Sequence, residues 1–192
     1  MSYFDKRYFI FVLVCIPSFA AFSMIQQTIG YYVQDQIHLN SSETARAIGL
    51  SMMSSASTTF LAQTLLVRYF KWSAFSFVQV GLFIMLIAFL GLTAFPHHLY
   101  LLILFMGVMG LGLGMIGPGV NGGATCAVQP EEQGKVAGLI STCPVIGFVI
   151  GPLLGTSLYH FNAFYPFIFS VFILTPISIY LWVKRHSFLT PS

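Results

Sequence analysis

Charge is scarce in this chain: of its 192 residues five are acidic and eight basic, 7% in all. A water-soluble domain carries about 25%, and so thin a supply cannot cover an ordinary wetted surface. That excludes a soluble globular domain, and also a nucleic-acid binder, which needs a basic face. Disorder is excluded because 57% of the residues are hydrophobic. Cysteine is sparse as well. Cys15, Cys126 and Cys143 show no disulfide or metal-ligand spacing, and all three lie in apolar stretches, as small buried hydrophobes do. What remains is a chain built for a lipid bilayer.

The few charges divide the sequence into apolar blocks long enough to cross about 30 Å of hydrocarbon at 1.5 Å per residue. Six spans are expected, at 9–33, 45–66, 74–95, 99–126, 136–159 and 164–183. Lipid offers the backbone no hydrogen-bond partner, and the blocks do not alternate as barrel strands do, so the spans are read as helices. The whole chain, 1–192, is then one all-α, multi-pass bundle. With six crossings the termini share a side with the loops after spans 2 and 4. That side holds Lys6, Arg7, Arg68, Lys71, Lys135, Lys184 and Arg185, and the other holds Arg46 alone. Seven bases against one predict cytoplasmic termini; the membrane expected is the plasma membrane. Lys6-Arg7 before an apolar run resembles a signal peptide, but the run is too long and closes on no small-x-small site, so it is read as a retained span.

Sliding the chain against itself gives one informative offset, about 89 residues. Arg46-Ala47-Ile48-Gly49-Leu50 falls on Lys135-Val136-Ala137-Gly138-Leu139, in each case a base followed three residues later by Gly-Leu. The same offset lays span 1 on span 4 and span 3 on span 6. Three crossings per copy give the copies opposite sidedness, and inverted repeats of this kind are used by secondary transporters.

Span 5 has the sharpest pattern: Gly138, eight residues, Gly147, three residues, Gly151-Pro152, two residues, Gly155-Thr156. Glycines at 147, 151 and 155 share one helix face, where a second helix can approach closely. Pro152 removes a backbone hydrogen bond beside that face.

With these residues the sequence resembles the major facilitator superfamily, specifically its drug/proton antiporter branch. The antiporter motif of that branch, Gly-x8-Gly-x3-Gly-Pro-x2-Gly-Gly, is matched except for its last glycine, here Thr156. The segment from Gln63 to Trp72 is similar to a worn copy of the loop motif Gly-x3-Asp-Arg-x-Gly-Arg-Lys. Arg68 and Lys71 stand at its basic positions, while Gln63, Val67 and Phe70 replace its Gly, Asp and Gly. Gln129 to Gly138 resembles the loop between the family's tenth and eleventh helices. The resemblance covers essentially the whole chain and implies the C-terminal half of the fold, six helices as two inverted three-helix repeats. Members normally have twelve helices in two bundles, so it also implies either a piece of a longer transporter or a bundle that joins a second one.

The activity implied is efflux of small amphipathic molecules by alternating access, with no cofactor or metal. Spans 1 and 4 are the family's cavity-lining helices, which makes Gln26, Gln27, Tyr31 and Asn121 candidate substrate contacts. Adjacent residues point about 100° apart, so at most one of Gln26 and Gln27 faces a cavity. Gly138, Gly147, Gly151, Pro152 and Gly155 are the packing motif, and Arg68 and Lys71 the cytoplasmic loop contacts. No Asp, Glu, Lys, Arg or His lies deep in a span, so a proton-carrying carboxylate is expected in the other half of the fold. Asp35, just beyond span 1, is the local candidate, set against the favoured reading of it as an exposed helix-end acid. An intramembrane enzyme would need a buried Ser-His or paired-acid arrangement, which the sequence does not offer. A non-transporting remnant or accessory subunit is the competing expectation. Two further patterns are set aside. Gly112-x-Gly114-x-x-Gly117 lies inside a span rather than after a strand, and in Asn40-Ser41-Ser42 a serine is expected to cap span 2.

Overall fold

A computed structural model of the chain describes residues 3–69, 72–95 and 97–189. It is all-helical. Six long helices follow one another: α1 (Phe9–Ile37), α2 (Ser41–Leu61), α3 (Ala74–Ala94), α4 (Leu99–Cys126), α5 (Pro130–Phe161) and α6 (Tyr165–Leu189). A π-helical turn (Ala62–Leu66) and one further α-helical turn (Val67–Tyr69) prolong α2. Pro17, Pro118, Pro144, Pro152 and Pro176 all sit inside continuous helices.

Five of the six helices are long and apolar enough to cross a membrane; α2 falls short of that measure. Nine of its 21 residues are Ser or Thr, which lowers its hydropathy without breaking the helix. Thr58 Oγ1, for one, lies 3.0 Å from the Ser54 and Ser55 carbonyl oxygens of its own helix, within reach of them as well as of α4. The start of α2 also differs from expectation. Asn40, not Ser41 or Ser42, is the N-cap: it accepts from the Glu43 amide at 2.9 Å, while the Glu43 carboxylate accepts from the Asn40 amide at 3.2 Å. This reciprocal pair satisfies two otherwise orphaned donors. Helix α5 begins at Pro130, six residues before its apolar stretch, because Pro at the first helical position and Glu131 and Glu132 in the first turn favour a helix start in water.

Packing is dominated by three helix pairs, α3 with α4, α1 with α5, and α2 with α4, while α6 closes the bundle against α3. Glycines set these distances. A Cβ built on Gly112 would stand 2.7 Å from the Gly81 carbonyl oxygen, and one on Gly81 equally close to the Gly112 oxygen. The opposite face of α4 presents Gly107, Gly110 and Gly114 to α2. Helix α4 is therefore glycine-rich because it is gripped on two sides. A core of Ile25, Ile29, Met85, Phe89, Met106 and Ile116 fills the centre. Tyr32 is buried in it, its ring edge-on to Phe167 at 5.1 Å. Among the described residues the buried polar side chains are all Ser or Thr, and no charge is buried.

Candidate functional site

The α1–α5 seam carries most of the residues singled out by the sequence. The two helices run parallel in register, with Gly147 against Ile16, Phe19 and Ala20, Gly151 against Ala20, Ser23 and Met24, and Gly155 against Met24. All three glycines are buried, and Cβ atoms built on Gly147 and Gly155 would meet α1 backbone at 2.8–3.0 Å. Ser23 Oγ donates across the seam to the Gly147 carbonyl at 3.1 Å. Pro152 is half-buried beside this contact. Gly138 does not belong to it: it is exposed, with open space where a Cβ would stand.

Both ends of the seam are tied by polar contacts that hydropathy does not register. At the end holding the chain's N-terminal segment, the Arg7 guanidinium donates to Glu132 at 2.7 Å and to Asp5 at 2.9 Å. About 15 Å farther along α5, the Tyr3 hydroxyl and Thr142 Oγ1 are 2.8 Å apart. These hydrogen bonds hold the Asp5 carboxyl below its ordinary pKa and the guanidinium above its own. At the far end the Tyr159 hydroxyl donates to Asp35 Oδ2 at 2.8 Å, and its ring lies 6.0 Å from that of Tyr31.

Gln27, Tyr31 and Asp35 are exposed and four residues apart, so they share one face of α1. Gln26 is half-buried. The structure thus brings Tyr31 and Asp35 together through Tyr159, which no motif or spacing singles out. Asn121 lies apart on α4, exposed, its amide donating to its own helix at Gly117 O, 3.1 Å away. The cavities of the bundle draw on other residues. One of about 410 Å³ lies between the N-terminal segment, α1 and Ile146 of α5, and others open on α3 and α6. Histidines 38, 97, 98 and 160 are exposed near helix ends. Among the described residues no three His, Cys, Asp or Glu side chains gather as a metal site.

A second seam joins α2 to α4. Thr58 Oγ1 donates to the Gly107 carbonyl at 2.6 Å and Thr59 Oγ1 to that of Gly110 at 2.8 Å. Ala62, first residue of the π turn, is buried with Phe77 and Met115 where α2, α3 and α4 meet. The loop motif begins there. Arg68 is exposed on the following turn, and Lys71 lies outside the described residues.

Against known families, the profile of the Major Facilitator Superfamily matches residues 11–191. The chain belongs to the Major Facilitator Superfamily. No curated protein matches it. Membership makes it a membrane transport protein, and the five strongly apolar helices agree with several crossings of a bilayer. The superfamily is one of transporters rather than enzymes.

Proposed function

We propose that this superfamily member is a six-span bundle of the drug/proton antiporter type, equivalent to the C-terminal half of the fold. Together with an N-terminal six-helix half or another second bundle, it expels small amphipathic molecules across the plasma membrane by alternating access, with both termini cytoplasmic. The observation that supports this most is the pair of parallel seams. Shifting the α2–α4 contacts by the 89-residue offset turns Thr58 against Gly110 into Gly147 against position 21, and Ala62 against Gly114 into Gly151 against position 25. The observed partners, Ile16 to Ala20 for Gly147 and Ala20 to Met24 for Gly151, fall within about one helical turn of these. Two three-helix repeats explain that correspondence, and α2 then counts as the sixth span.

Exposure supports a partner bundle. Only 28% of the most apolar stretch of α5 is buried, against 61% for α1; the α6 stretch, at 33%, is the side left to lipid in this reading. Leu153 and Val149 of α5 stand open, as do Met53 and Phe60 of α2. In this reading α1, α2, α4 and α5 face the second bundle and enclose the substrate, with Gln27, Tyr31 and Asn121 as uncharged contacts and Gln26 beside them. The glycine seam moves as the bundles rock, and Arg68 and Lys71 make contacts that change with state. The test is accumulation of fluorescent amphipathic dyes in cells expressing the complete protein. Lower accumulation than in cells lacking it supports the reading. Equal accumulation, with the protein inserted and a panel of cationic and neutral dyes tried, overturns it in favour of a non-transporting subunit.

A further inference from the structure

The α3–α6 side of the bundle, away from the proposed partner face, carries a groove of about 370 Å³ lined by Gln79, Val80 and Phe83 of α3 and Ser178, Ile179 and Trp182 of α6. Ile179 joins it to a second groove that runs along α6 past Phe172. From Trp182 back to Phe172 the helix rises about 15 Å at 1.5 Å per residue, half of a hydrocarbon core about 30 Å thick. The joined grooves therefore match the depth of one leaflet.

Two groups in the first groove do not suit hydrocarbon alone. The Gln79 amide and the Ser178 hydroxyl are half-buried and make no hydrogen bond among the described residues. Their neighbours behave differently. Thr175 donates to Val171 O at 2.7 Å and Ser170 to Pro166 O at 2.8 Å, both within α6. An amide left without a partner in a lipid-facing groove is costly. The groove also sits at the basic end of the bundle. Arg68 lies on the turn leading toward α3, Lys184 follows Trp182, and both are exposed. Trp182 is 67% exposed there, the setting in which an indole favours the membrane–water interface.

We propose that this groove holds one anionic phospholipid from the leaflet on the basic side. Its acyl chain lies along Val80, Phe83, Ile179 and Phe172. Its ester carbonyls accept from the Gln79 amide and the Ser178 hydroxyl, and its headgroup sits in the field of Arg68 and Lys184. The inference needs only that the bundle is in a bilayer, so it stands or falls separately from what is transported.

The experiment is native mass spectrometry of the full chain, delipidated in detergent and titrated with phosphatidylglycerol or phosphatidylcholine of the same chain length. One phosphatidylglycerol is expected to bind more tightly than phosphatidylcholine. Lys184→Gln, a change at an exposed residue whose ammonium lies over the Tyr180 ring of its own helix at 5.0 Å, should weaken phosphatidylglycerol about fivefold and narrow the difference. Gln79→Leu combined with Ser178→Ala should weaken both lipids, with the thermal midpoint confirming a folded bundle. Equal binding of the two lipids, or binding unchanged in both variants, overturns the proposal.

Discussion

The Ser23 hydroxyl of α1 donates to the Gly147 carbonyl of α5, buried between two parallel helices with no side chain on the glycine to hold them apart. Helices in lipid gain little from hydrophobicity, because the tails around them are equally apolar. Close packing and interhelical hydrogen bonds hold them instead. The seam should therefore be sensitive to single methyl groups. A Cβ at Gly151 would collide with Ser23 Oγ and stand 2.5 Å from the Ala20 carbonyl oxygen. Gly151→Ala is expected to cost about 1–3 kcal/mol by overpacking, whereas Gly138→Ala meets open space and gains up to about 1 kcal/mol of helix propensity. Thermal unfolding in detergent checks the contrast. Equal effects at the two sites would remove the close contact from the account.

In the transport reading the same seam has a mechanical role. Gly151→Leu should insert normally but abolish dye efflux, because the larger side chain blocks the relative movement of α1 and α5. Membrane insertion by fractionation and efflux by fluorescence are measured on the same cells. Undiminished efflux would sink the mechanical role.

The α2–α4 seam makes an isosteric test possible. Thr59→Val keeps shape and removes the donor to Gly110 O. The expected loss is about 0.6 kcal/mol, the average for interhelical hydrogen bonds in membranes. Thr64 donates to Phe60 O of its own helix at 2.8 Å and is exposed, so Thr64→Val is the control. Its midpoint should move less than that of Thr59→Val.

Much of the helix pattern was legible because charges and polar loop residues such as His97-His98 separate the apolar blocks. Span 4 was expected at 99–126, and α4 occupies Leu99–Cys126. Two kinds of information stayed hidden. Hydropathy cannot see helix that continues into water, so α5 starts at Pro130 rather than 136. Nor can it see which face of a helix meets which neighbour: the spacing of Gly107, Gly110, Gly112 and Gly114 indicates close packing without revealing that Gly112 serves α3 while the other three serve α2. The ties Arg7–Glu132 and Tyr159–Asp35 join residues more than a hundred positions apart. Each partner looks like an ordinary helix-end residue until the chain is folded.

The Arg7 tie predicts a small acid sensitivity. Hydrogen bonding to Arg7 lowers the Asp5 pKa on folding, so its stabilising contribution is complete above the unfolded value, about 3.9, and is lost as pH falls through the lowered one. The thermal midpoint of the wild type should show a shallow step in that acid range. Arg7→Gln should remove the step while leaving the midpoint near neutral pH little changed, since an exposed pair contributes little. A step that persists in Arg7→Gln would assign it to other carboxylates.

The exposed faces of α2 and α5 make the most consequential prediction, that a second bundle covers them. Single cysteines at Phe60 and Leu153, 65% and 68% exposed, are introduced into the complete protein. Membranes are treated with a short reagent that carries a maleimide at one end and a photoreactive benzophenone at the other, so that the partner needs no thiol. Cys15 and Cys143 are buried, and the exposed Cys126 is replaced by serine to keep the background clean. An antibody against the tail from Lys184 to Ser192 then reports size. If the second bundle is a separate chain, a 21.2 kDa species should shift upward on cross-linking at either position. If it is part of the same polypeptide, the antibody should find a species about twice that mass before any reagent is added. A cysteine on the lipid-facing side, at Phe172, should give no shift in either case. Cross-linking at Phe172 but not at Phe60 or Leu153 would place the partner against α6, and the assignment of inner and outer faces would have to be reversed.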